Sequence, residues 1–122
     1  MLQCLIMGRH GGRKIDLSTM KKLDYSKANY SSTYYSSVLD TLDSKEKIVV
    51  YSLANSSAGS RVYFYLQGSN DNSSWTDIAS ITNTTGGDKL NVDKFAYRYY
   101  RFKSYADYYD CTHTGRLRVV YL

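Results

Sequence analysis

The strongest constraint on this chain is a two-residue period that recurs along it. In Arg61-Val62-Tyr63-Phe64-Tyr65-Leu66-Gln67, Val62, Phe64 and Leu66 share one face, and Arg61, Tyr63, Tyr65 and Gln67 share the other. Successive side chains take opposite faces only on extended backbone, so this segment is a strand with one buried side. Arg116 to Leu122 repeats the pattern, with Leu117, Val119 and Tyr121 opposite Arg116, Arg118 and Val120. Phe95 to Ser104 reads as a third such strand, with Tyr100 and Phe102 inward and Tyr97, Tyr99 and Arg101 outward. Ile48-Val49-Val50-Tyr51-Ser52-Leu53 is apolar on both faces, as suits a central strand covered on both sides. Trp75 to Thr82 is a strand burying Ile78 and Ile81, whose spacing of three requires a bulge near Ala79-Ser80. The run from Tyr30 to Leu42 carries a strand from about Thr33 to Thr41. The one helical candidate is Asp16 to Tyr25, where Ser18 and Thr19 offer a cap.

Polar turns separate these runs: Asn55-Ser56-Ser57-Ala58-Gly59, Gly68 to Ser74, Thr84-Thr85-Gly86-Gly87-Asp88 and Thr112-His113-Thr114-Gly115. Short strands at such spacing predict an all-β fold, an antiparallel β-sandwich of about eight strands and jelly-roll type. The expected core is Val62, Phe64, Leu66, Trp75, Ile78, Tyr100, Phe102, Leu117 and Val119. Composition agrees: 14 tyrosines favour strands, and a single Glu, Glu46, leaves little material for long helices. The 122 residues fit one domain over 1–122, with 1–30 as an N-terminal strand and arm region.

No stretch approaches the roughly 18 apolar residues of a membrane span, so no membrane partner is expected. Residues 2–7 are apolar but short and lack a preceding basic stretch, unlike a secretory signal. On that ground Cys4 and Cys111 are read as two buried thiols, with a disulfide between the chain ends as the alternative. Two cysteines and two histidines without paired spacing make a poor zinc set. No nucleophile, base and orienting acid fall in a recognisable order, and no cofactor is expected. Four Asn-x-Ser/Thr triplets, at Asn29, Asn55, Asn72 and Asn83, read as polar loop composition.

Two segments carry a family resemblance. Ser69-Asn70-Asp71-Asn72-Ser73-Ser74-Trp75 followed by Arg98-Tyr99-Tyr100-Arg101-Phe102 resembles the turn and following strand of discoidin-like, galactose-binding-like domains. Gly115-Arg116-Leu117-Arg118-Val119 is similar to that family's closing strand. Asn72 stands where the family has Gly, and Asn is the residue that best replaces Gly at positive φ. The resemblance implies a jelly-roll sandwich that binds glycans or lipid head groups through loops at one end. The same Tyr/Asn/Ser-rich segments look like structural proteins of tailed-phage virions, such as capsid decorations and tail, baseplate or fibre modules.

The leading expectation is a non-enzymatic virion structural protein, assembled in the host cytoplasm, whose partners are other virion proteins and copies of itself. Its expected contact residues are Tyr63, Tyr65, Tyr97 and Tyr99 on the outward faces, with Arg9 and Arg13 on the arm. A glycan-binding module is the second expectation, using loops at Asn55, Asn70, Asp71, Asn72, Asp107 and His113. A nucleic-acid-binding barrel is the third. The net charge of +5 is modest; Arg98, Arg101, Lys103, Arg116 and Arg118, interleaved with Tyr, could meet phosphates and stacked bases, but they read first as solvated strand edges, which argues against nucleic acid.

Overall fold

The computed structural model describes residues 20–28, 31–55, 62–82, 90–106 and 112–121, and of Val62 the backbone alone. These residues form nine strands: β1 (Lys21–Ala28), β2 (Ser32–Tyr35), β3 (Leu39–Asp40), β4 (Lys47–Asn55), β5 (Val62–Ser69), β6 (Thr76–Thr82), β7 (Asn91–Phe95), β8 (Tyr99–Ala106) and β9 (Thr112–Tyr121). They make two antiparallel sheets. One has the order β1-β9-β4-β7; the other has the order β2-β8-β5-β6, with β3 also paired to β8. Successive strands cross between the sheets except at the β5–β6 hairpin and where β3 follows β2. That is the double Greek-key order of a jelly roll.

Each sheet supplies one wall of the core. Phe64, Leu66, Tyr100 and Phe102 from β5 and β8 meet Val49, Leu53, Leu117 and Val119 from β4 and β9. Tyr25 of β1 reaches between the sheets. Its ring lies 5.9 Å from Phe64 and 6.1 Å from Phe102, and its hydroxyl shares a 2.7 Å hydrogen bond with Ser104 Oγ. The sheets close so tightly at Gly115 that a Cβ there would stand 2.7 Å from the Phe102 ring. β4 is covered on both faces, as its sequence requires: Ile48 and Val50 are buried with Val120 on the opposite side, where Met20 packs against them.

Several sequence expectations are corrected. Lys21 to Tyr25 is strand, not helix. Its side chains alternate half-buried and exposed, and pairing with β9 along its whole length satisfies its backbone. Phe95 to Ser104 is two strands, because the chain leaves the four-stranded sheet after Phe95 and enters the other at Tyr99. The expected strand over 33–41 is likewise split. β2 pairs with Lys103–Ala106, β3 with Tyr99–Tyr100, and Ser36 bridges the gap by its main-chain N–H to Phe102 O. The β6 bulge sits at Ile78, one residue before the expected place: Leu66 faces Ala79 while Gln67 faces Asp77. Trp75 is not core. It lies ahead of β6 with Arg101 against its ring. Asn72 has φ 59°, the left-handed conformation expected of it.

Candidate functional site

The outward face of the five-stranded sheet concentrates aromatic and cationic side chains. Strand parity puts Tyr63, Tyr65 and Gln67 of β5 beside Arg101, Lys103 and Tyr105 of β8, and register makes them direct neighbours: Tyr63 opposite Tyr105, Tyr65 opposite Lys103, Gln67 opposite Arg101. β2 extends the same face with Thr33 opposite Tyr105 and Tyr35 opposite Lys103.

The rings are ordered by one another. Tyr63 lies 6.4 Å from Tyr65 and 5.7 Å from Tyr105, with interplanar angles of 27° and 21°. Both cations lie against rings. The Arg101 guanidinium is 4.2 Å from the Tyr35 ring and 4.1 Å from the Trp75 ring, and the Lys103 ammonium is 5.6 Å from the Tyr65 ring. Such contacts hold a cation without neutralising it. Arg101 Nε donates to Gln67 Oε1 at 2.8 Å, and Gln67 Nε2 donates to Asp77 Oδ1 at 2.8 Å, so the guanidinium is oriented at its inner edge. Burial lowers the Arg101 pKa somewhat and raises that of the Tyr65 hydroxyl. Thr33, Tyr63, Tyr65, Lys103 and Tyr105 line a shallow concavity of about 380 Å³.

A second cluster sits at one end of the sandwich, where residues 40–46 meet 70–74 and Arg98. Arg98 donates to Asp40 from Nε at 2.8 Å and from its terminal nitrogen at 2.9 Å. These bonds, with a main-chain bond from Leu42, lower the Asp40 pKa to about 2. Asn70 Oδ1 accepts from Arg98 N and Ser44 Oγ. Asp71 accepts the main-chain N–H groups of Ser73 and Ser74 at 2.9 and 2.8 Å, which depresses its pKa. Lys47, buried at its ammonium, donates to the carbonyls of Asp43 and Lys45 at 2.6 and 2.8 Å and pairs with the Asp43 carboxylate. The polar groups of this end are thus engaged in holding its own loops.

The sequence-derived contact residues divide accordingly. Tyr63 and Tyr65 stand together on the outward face. Tyr99 shares that face at its far end, under the Arg98 guanidinium at 4.9 Å. Tyr97 is set apart: the break after Phe95 reverses its parity, and it packs edge-on against Tyr100 in the hollow left by Gly68. Of the glycan-loop candidates, Asn70, Asp71 and Asn72 are exposed in the β5–β6 turn. Asn55 and His113 are corrected: both are buried strand residues, paired across β4 and β9, and His113 lies 5.0 Å from the Phe64 ring. Burial there lowers the His113 pKa to about 4. Arg9, Arg13, Cys4, Asp107 and Cys111 lie outside the described residues. Tyr35, Trp75 and Tyr105 were missed as site members and Lys103 was weighed only within a dispersed basic set; the pairing register brings them to Tyr63 and Tyr65.

The fold and this face define the class: an all-β, two-sheet jelly-roll sandwich with an aromatic and cationic outer sheet surface. No family model and no curated protein matches the chain. Among solved structures it is similar to the subunit of a Bacillus pilus described as "Bacillus endospore appendages form a novel family of disulfide-linked pili", at 11% identity and a TM-score of 0.54, over 84% of this chain and 85% of that one. It also matches the SPBc2 prophage-derived protein YomS at 11% identity and a TM-score of 0.46, covering 82% of this chain and 94% of that one. The pilus match shows the sandwich fold. Among the described residues no helix is long and apolar enough to cross a membrane, and no group of His, Cys, Asp or Glu is arranged to hold a metal.

Proposed function

We propose that this chain is a non-enzymatic structural subunit that works by protein–protein contact, joining copies of itself or neighbouring subunits in a phage virion. One observation carries the assembly reading: exposed apolar side chains gather at opposite edges of the sandwich. Tyr34, Tyr35 and Val38 stand exposed along the β2–β3 edge, and Leu90 and Val92 at β7. Because β1 faces β3 while β4 faces β5 and β6, these two edges lie on opposite sides. An edge strand offers free main-chain groups to a further strand, and apolar residues beside it make that pairing favourable. Two different edges on opposite sides form a head-to-tail contact, which builds rings or filaments rather than closed dimers. The pilus-forming neighbour supports this reading through its fold, and the virion setting rests on the sequence resemblance.

The test is complementation between blocked subunits. Val92→Lys disables one edge and Tyr35→Lys the other. The unmodified chain is expected to form multimers in light scattering, each variant alone to be arrested, and an equimolar mixture to give a dimer through the two intact edges. A chain that stays monomeric at every attainable concentration and never co-purifies with particles overturns the proposal.

A further inference from the structure

The outward face of the five-stranded sheet is a second surface, which shares Tyr35 with the edges proposed to carry assembly. Its geometry poses a specific chemical question. Arg101 and Lys103 stand two residues apart on β8, hence about 7 Å apart along it. Among the described residues neither belongs to an ion pair; the carboxylates of Asp24, Asp40 and Asp43 pair elsewhere, with Arg118, Arg98 and Lys47. Two half-buried cations on one face, both held against rings and neither in an ion pair among the described residues, leave positive charge there for an anion, while the Asp77 carboxylate on the same face is engaged by Gln67. Next to them runs the near-parallel row Tyr65–Tyr63–Tyr105.

Flat rings and fixed cations in one strip suit a polymer that alternates planar groups with negative charge. We propose that this face binds single-stranded nucleic acid, with bases stacking on Tyr63, Tyr65 and Tyr105 and phosphates meeting Lys103 and Arg101. Stacking platforms beside backbone-tracking cations are the recurrent solution for single strands, and every base has a face to stack. A sheet face bearing aromatic residues is also how single-stranded RNA is held by small α/β modules.

The lining favours this ligand over a sugar chain. The residues lining the concavity, Thr33, Tyr63, Tyr65, Lys103 and Tyr105, offer a sugar chain hydroxyls and rings but no carboxylate or carboxamide, and a neutral sugar leaves the Lys103 charge unmatched. The nearest such groups, on Gln67 and Asp77, are engaged with Arg101 and with each other. Duplex nucleic acid fits poorly as well, because its bases present no free face to a flat strip of rings. In the sequence Arg101 and Lys103 sit within a basic set whose other members fold onto other surfaces, so the set as a whole did not show which cations share a face. Arg98 and Arg118, for example, are consumed by Asp40 and Asp24.

The test is fluorescence anisotropy of the full chain with a labelled single-stranded DNA dodecamer. Unlabelled duplex of the same sequence, polygalacturonate and a neutral glucan serve as competitors. Single strands are expected to bind and to compete best, with affinity falling as salt rises. Lys103→Gln should weaken binding and reduce the slope of log affinity against log salt by about 0.7, the loss of one phosphate contact. Tyr105→Ala should weaken it about tenfold, and Tyr105→Phe should restore it, since stacking needs the ring and not the hydroxyl. Lys103 is a surface residue, so its variant reports even if an alanine variant fails to fold. No binding at low salt overturns the proposal. So does equal or tighter binding of duplex, polygalacturonate or glucan, or a Lys103→Gln chain with unchanged affinity and salt slope.

Discussion

His113 shows how one buried side chain ties stability to pH. It sits against Phe64 with no exposure, and burial disfavours its charged form, taking its pKa to about 4. In the unfolded chain the imidazole titrates near its ordinary value of about 6.5. Between these values the unfolded state binds the proton and the folded state does not, so stability falls as pH drops from 6.5 towards 4 and levels below that. The span corresponds to about 3 kcal/mol. Thermal melting across this range is expected to show the loss, and His113→Leu to flatten it. An unaltered slope in the variant would assign the effect to another group. Asp40 acts with the same sign at lower pH: its depressed pKa means that the Arg98 pair supports the fold above the unfolded value and is lost as pH falls through about 2. Lys47 makes a different point. Its buried ammonium satisfies two carbonyls of the loop before β4. Lys47→Met leaves those acceptors without a donor and should cost about 2 kcal/mol in denaturant unfolding, with the loop near Asp43 the first region to lose exchange protection.

At the scale of elements, the two sheets approach as closely as they do because particular positions lack a side chain. Gly115 on β9 lies under the Phe102 ring of β8. Gly115→Ala should therefore destabilise by about 1–3 kcal/mol, because ring and strand must move apart to admit a methyl group. Gly68 performs the corresponding service for Tyr97 and Ile78. The same feature explains how far the sequence was legible. β5, the two-sided β4 and β9 from Arg116 onward were readable with their faces, and six of the expected core residues are buried, whereas Thr112–Gly115, expected as a turn, is the start of β9. Where the chain changes sheet, period-two reasoning carried the parity across the break. Tyr97 was placed outward for that reason. Trp75 was expected in the core, at the start of the strand after the β5–β6 turn, whereas it precedes β6 and packs on a cation. β1 read as a helical turn because its strand character comes from β9, a partner some ninety residues away in the chain. The outer-face site was half legible: alternation exposes Tyr63 and Tyr65, but their neighbours come from strands paired by register, which no local pattern encodes.

At the scale of the molecule, edges and faces differ in their chemistry. Exposed apolar residues lie along the β2–β3 edge and at β7, while the aromatic and cationic groups occupy the broad face between β2 and β6. Edge variants should therefore change oligomeric state and leave nucleic-acid affinity per subunit within about twofold, since charge-neutral changes at a distance are close to additive. Val92 is the suitable position for that comparison, because Tyr35 belongs to both surfaces through its contact with Arg101. The comparison uses Val92→Thr, which removes apolar surface without adding charge. Sedimentation measured beside anisotropy on the same preparation checks the separation.

The placement of β9 has a consequence for synthesis. It is the inner strand between β1 and β4, yet it is translated after every other strand of the sandwich. Until it emerges from the ribosome, β1 has no partner among the described strands, and the core lacks Leu117 and Val119 from one wall. A nascent chain stalled before Thr112 should thus remain sensitive to protease along β1 and β4, and the released chain that includes β9 should be protected there.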